Sequence, residues 1–76
     1  MDELAKHIER SLKKRGLCLI WEDELERYWP SQKINRADQE EQIETFAKSH
    51  GWMVSILTTD SGVIRAIFAH HRPAPH

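Results

Sequence analysis

The chain has 76 residues, with eleven Lys and Arg against twelve Asp and Glu, for a formal net charge of −1. That length holds one domain, since a chain this size buries only about 60% of the surface its unfolded form exposes, and the charge balance lacks the cationic excess usual in nucleic-acid-binding domains. A single cysteine, Cys18, excludes an internal disulfide framework and points to a reducing, cytoplasmic setting. No apolar run approaches the ~18 residues of a membrane span, and the acidic start M-D-E-L-A-K is unlike a signal peptide.

The first predicted element is a helix from Glu3 to Arg15. Leu4, Ala5, Ile8 and Leu12 fall on one stripe, and Asp2 is placed to accept from the free amides of the first turn as an N-cap. Asp2 and Glu3 complement the positive end of the helix dipole, and Lys13, Lys14 and Arg15 the negative end. Gly16 supplies the stop, with Leu17 expected to fold back onto Leu12. The run L-C-L-I-W, Leu17 to Trp21, is apolar throughout and reads as a short buried strand. Acidic Glu22, Asp23, Glu24 and Glu26 then suit a short second helix. Leu25, Tyr28 and Trp29 share one face of it, and Pro30 ends it because proline cannot continue the hydrogen-bond ladder.

After a polar connection from Ser31 to Asn35, a third helix runs to His50. Either Asn35 or Asp38 caps it, Asp38 and Glu41 having the spacing of a capping box. Ile43, Phe46 and Ala47 form its inward face, and Asp38, Glu41, Glu44, Thr45 and Lys48 its solvent face. His50 then sits where a cation meets the negative end of the dipole. Gly51 stops the helix and lets Trp52 pack back onto Phe46 or Ala47.

Two β-branched, apolar-rich runs follow, Trp52 to Thr58 and Val63 to Ala69, separated by D-S-G, a strong hairpin signal. A three-residue loop, Asp60-Ser61-Gly62, with Gly62 in the left-handed position, pairs Thr58 with Ile64, Ile56 with Ala66, Val54 with Phe68 and Trp52 with His70. Even-numbered residues then share one apolar face. The tail R-P-A-P-H closes the chain, so a compact domain over residues 1–70 and a short disordered tail at 71–76 are expected.

The predicted order is α-β-α-α-β-β, an α+β domain with a three-helix core and a small antiparallel sheet ending in a C-terminal hairpin. This order resembles that of winged-helix domains. The resemblance covers most of the chain and rests on element order and hairpin placement, not on a sequence motif. The alternative is a small α+β sandwich of different connectivity.

If the resemblance holds, the third helix occupies the position that reads DNA, where Arg, Lys, Asn or Gln must reach base edges. Its solvent face instead offers Asp38, Glu41 and Glu44, which repel phosphates. Lys33, Arg36, Arg65 and Arg72 are the candidates for a phosphate-contacting rim in a nucleic-acid-binding regulator, against the plainer reading that they are scattered solvating charges. The odd-numbered hairpin face carries Met53, Leu57, Val63 and Ile67. Apolar residues on both faces of a small sheet mark a partner or self-association surface unless the first helix, the tail or sheet twist covers them. The favoured expectation is therefore an interaction module that binds a protein partner or itself. Met53, Leu57 and Ile67 on the hairpin, with Asp38, Glu41 and Glu44 on the third helix, form its candidate surface.

No metal, cofactor or catalytic site is expected. His70 and His71 on a strand point to opposite faces, and no spacing among His7, His50, His70, His71, His76 and Cys18 matches a zinc pattern. Cys18 lies in an apolar run, where a thiol is inert and its pKa raised. Ser55 and Ser61 have no base in a recognisable arrangement. Gly16, Gly51 and Gly62 are accounted for by caps and a turn, leaving no phosphate loop, and the chain reads as a non-enzyme.

Overall fold

The computed structural model describes residues 2–70; the predicted tail and Arg72 lie outside them. Six elements follow in order: α1 (Asp2–Arg15), β1 (Leu17–Trp21), α2 (Glu22–Tyr28), α3 (Arg36–Ser49), β2 (Trp52–Thr59) and β3 (Gly62–His70). The α+β class, the α-β-α-α-β-β order and the C-terminal hairpin are those expected. The strands form one antiparallel sheet in the order β1-β3-β2, so the last strand lies in the middle.

Chain punctuation explains the helix limits. Gly16 and Gly51 follow α1 and α3 with φ of 81° and 74°, the left-handed backbone that glycine adopts without a Cβ penalty. Asn35 caps α3: its side-chain oxygen accepts from the Asp38 amide at 2.9 Å, which places Asp38 inside the first turn and removes it as a cap. Asp2 is likewise part of α1, not the residue before it. The second helix ends at Tyr28, ahead of Pro30, and the Trp29 amide donates back to the Leu25 carbonyl at 2.7 Å.

All three helices pack on one face of the sheet. Leu4, Ile8 and Leu12 of α1, Leu25 of α2 with Trp29 just after it, and Ile43 and Ala47 of α3 meet Cys18, Ile20, Trp52, Ala66 and Phe68 of the strands. Phe46 ties the aromatic part of this core together, with ring centroids 5.6 Å from Trp29, 5.9 Å from Trp52 and 6.2 Å from Phe68, each near edge-to-face. That is the arrangement ring quadrupoles favour. Trp52 thus folds back onto Phe46 as expected, and His50 stacks on Trp52 at 4.6 Å while its Nδ1 donates to the Phe46 carbonyl at 3.0 Å.

The hairpin differs from expectation at its tip. Thr59 pairs with Gly62 and Thr58 with Val63, so the turn has two residues, Asp60 and Ser61. The extra residue is absorbed by a bulge at Ile64, where the register shifts before Leu57 pairs with Arg65. Beyond the bulge the expected pairs Ile56–Ala66, Val54–Phe68 and Trp52–His70 all form. The bulge reverses side-chain parity, so Val63, expected on the outer face, is buried in the core. One buried polar side chain holds this corner. Gln39 donates from Nε2 to the Trp29 carbonyl at 2.7 Å, and its Oε1 accepts from the Val63 amide at 3.4 Å.

Candidate interaction surface

Strand β1 alternates exposed and buried along its length instead of being buried throughout. Cys18 and Ile20 face the helices, whereas Leu17, Leu19 and Trp21 face away. Leu17 therefore does not fold back onto Leu12. The sheet register converts this alternation into a surface of three rows. Leu17, Ala69 and Met53 lie side by side, then Leu19, Ile67 and Ser55, then Trp21, Arg65 and Leu57. No described helix covers this face, because the apolar stripe of α1 is spent on the opposite side. Trp21 is 57% exposed and Met53 53%; Leu17, Leu19 and Leu57 are also exposed, and Ile67 in the central strand is half-buried by its neighbours.

Arg65 is the one charged residue in these rows. It is half-buried between Trp21 and Leu57, and its Nε is buried with no hydrogen-bond partner among the described residues.

The predicted site residues fall into separate places. Met53, Leu57 and Ile67 belong to the outer sheet face. Asp38 and Glu41 line an open hollow of about 610 Å³ on α3, floored by Trp29 and Phe46. Glu44 lies apart from them, in a smaller concavity beside Met53 at the β2 edge. Among the candidates for a basic rim, Lys33 is exposed in the turn before α3, and Arg36 opens that helix with Nη1 donating to the Thr59 carbonyl at 3.3 Å. Arg65 emerges on the other side of the sheet, so the described cations do not converge.

Sequence reasoning missed Leu17, Leu19 and Trp21. Every position of L-C-L-I-W is apolar, so the run carries no alternation to read; only its pairing with β3 assigns each side chain to a face.

Burial raises the Cys18 thiol above its ordinary pKa; a hydrogen bond from Ser11 partly opposes this, Glu24 adds to it and Arg15 subtracts. A thiol held neutral inside the core is a packing group. Among the described residues no three His, Cys, Asp or Glu are grouped to hold a metal ion, and no helix is long and apolar enough to cross a membrane. Compared with family models, with curated proteins and with solved structures, the chain matched none.

Proposed function

We propose that this chain is a small protein-binding module of winged-helix-like architecture, docking a protein partner or a second copy through its outer sheet face. The observation that carries this reading is the contiguous apolar surface across three strands, with Leu17, Leu19, Trp21, Met53 and Leu57 all exposed. Proteins that work alone rarely leave such an area in water. Trp21 and Arg65 adjoin on it, and aromatic residues and arginine are the types most enriched at interface centres. The exposed side of α3 supports the same reading, because Asp38, Glu41 and Glu44 oppose the approach of a phosphate backbone.

The test is paired. Sedimentation over a wide concentration range reads self-association, and a photocrosslinker at position 57 or 53, with one at exposed Glu9 of α1, across the sheet, as control, reads a partner in the native cell. Met53→Glu with Leu57→Glu should abolish self-association while leaving the fold intact, and Met53→Glu should abolish the species crosslinked from position 57, as Leu57→Glu should that crosslinked from position 53. A monomer at every concentration, together with no discrete adduct specific to positions 53 and 57, would sink the proposal.

A further inference from the structure

Because the sheet order is β1-β3-β2, β1 has one strand neighbour among the described residues, and its other edge presents backbone N–H and C=O groups that no described strand satisfies. Sheets guard such edges with charge, proline, a bulge or a covering element. Strand β1 has no proline and no charged residue, and it pairs with β3 without a register break.

Beside this edge runs a groove of about 580 Å³ between α1 and β1. His7, Arg10 and Lys14 form its helical wall, Arg15 stands at its end, and Leu17 and Leu19 contribute its apolar side. His7, Arg10 and Lys14 are spaced i, i+3, i+7, so they make one stripe along the helix, and all three are exposed. No carboxylate lines the groove. The near-neutral total conceals an uneven distribution: α1 carries Lys6, Arg10, Lys13, Lys14 and Arg15, five of the eleven Lys and Arg in the chain, against Asp2, Glu3 and Glu9 of its twelve Asp and Glu.

We propose that the groove takes an extended acidic peptide segment of a partner protein, added to the β1 edge as a fourth strand. Its backbone pairs with the free groups of β1, its carboxylates meet Arg10, Lys14 and Arg15, and its alternate apolar side chains lie on Leu17 and Leu19. Main-chain pairing supplies affinity and the cationic stripe selects the sign of the partner's charge. A second copy joined β1 to β1 is a poorer occupant, because it sets two His7–Arg10–Lys14 stripes against each other with no counter-charge. A nucleic acid would satisfy the cations but leave the β1 backbone groups and the leucines unused. This site shares Leu17 and Leu19 with the outer sheet face but rests on the β1 edge and the cations of α1, so it does not depend on Met53 or Leu57.

The probe is the peptide acetyl-Glu-Val-Glu-Val-Glu-Val-Glu-amide, titrated into the isotope-labelled full chain and followed by backbone amide shifts. Its lysine-for-glutamate counterpart and a short oligothymidine serve as comparators. Saturable shifts should centre on Leu17–Trp21 and the groove side of α1, with the lysine peptide binding about tenfold more weakly or worse. Arg10→Glu with Lys14→Glu should weaken the acidic peptide by about tenfold, and Arg10→Gln with Lys14→Gln, which leaves no new charge on the helix, should move affinity the same way by less. Met53→Glu on the far edge should leave it unchanged. The proposal is overturned by absence of saturable shifts at millimolar peptide, by equal binding of the lysine peptide, or by tighter binding of oligothymidine. Shifts centred on α3 or on Met53 and Leu57 also overturn it, as does polymerisation of the chain alone that the charge reversals abolish, since the occupant is then another copy's β2 edge.

Discussion

Gln39 shows how a single polar side chain can organise a core this small. Its amide satisfies the Trp29 carbonyl left at the end of α2 and the Val63 amide left where the hairpin turn departs from a regular ladder. The apolar pattern of α3 does not announce it, because glutamine at a buried position is legible only once its two partners are placed. Gly62 belongs to the same joint: its φ is 136°, and a Cβ there would stand 3.1 Å from Gln39 Oε1. Substituting Gln39→Leu keeps the volume and removes both hydrogen bonds, stranding two buried backbone groups. A loss of about 2 kcal/mol or more is expected, read as a lowered urea midpoint with an unchanged slope. Stability equal to the parent would show that the two groups find other partners.

At the scale of elements, the helices follow from local chemistry and the strands from pairing. Between α2 and α3 the chain must reverse in a few residues, and Glu26 stabilises that turn. Hydrogen bonds from Ser31, hydroxyl and backbone amide, hold the Glu26 carboxyl below the ordinary glutamate range, the amide donating to Oε2 at 2.9 Å. A carboxyl lowered in the folded state contributes stability that is fully present above its unfolded pKa and is lost as pH falls through its folded one. Glu26→Gln should therefore lower stability slightly at neutral pH and flatten its decline below the ordinary glutamate range, as followed by denaturant midpoints across an acid series. Since Glu26 is largely in solvent the effect is small, and an unaltered acid slope would remove the turn assignment. The hairpin illustrates the other case. Thr58 and Val63 pair in place of Thr58 and Ile64 because a two-residue turn plus a bulge competes with the three-residue loop, and D-S-G is compatible with both. That one-residue difference transfers Val63 from the outer face to the core.

On the scale of the whole molecule, three helices on one side of three strands make a two-layer structure whose other face no described element covers, and the core is correspondingly thin. A domain of this length has roughly 4–11 kcal/mol of stability in total. Phe68 sits fully buried in the central strand, edge-to-face with Phe46 and Trp52. Phe68→Ala should cost about 3–5 kcal/mol, enough to populate the unfolded chain measurably at moderate temperature, as seen by loss of near-ultraviolet ellipticity. Met53→Glu, on the bare face, should stay within about 0.5 kcal/mol of the parent. Equal effects for the two would mean that the faces have been assigned the wrong way round.

The limits of the helices to within a residue or so, the stops at Gly16 and Gly51, the hairpin and most of its register were legible in the chain, because each depends on residues within a few positions of one another, whereas the choice of Asn35 over Asp38 as the α3 cap and the place of Asp2 inside α1 were not. The inner residues of β2 were legible too, since it alternates between Trp52, Val54 and Ile56 inside and Met53, Ser55 and Leu57 outside, whereas Val63 of β3 was not. Tertiary structure alone decided what those residues adjoin. Placing β3 between β1 and β2 puts Leu17, Leu19 and Trp21 on one face with Met53 and Leu57, and it leaves the β1 edge unpaired among the described residues, beside the cations of α1. Pairing between distant segments depends on which contacts win after loop closure is paid, and an all-apolar strand has no local pattern to record the outcome.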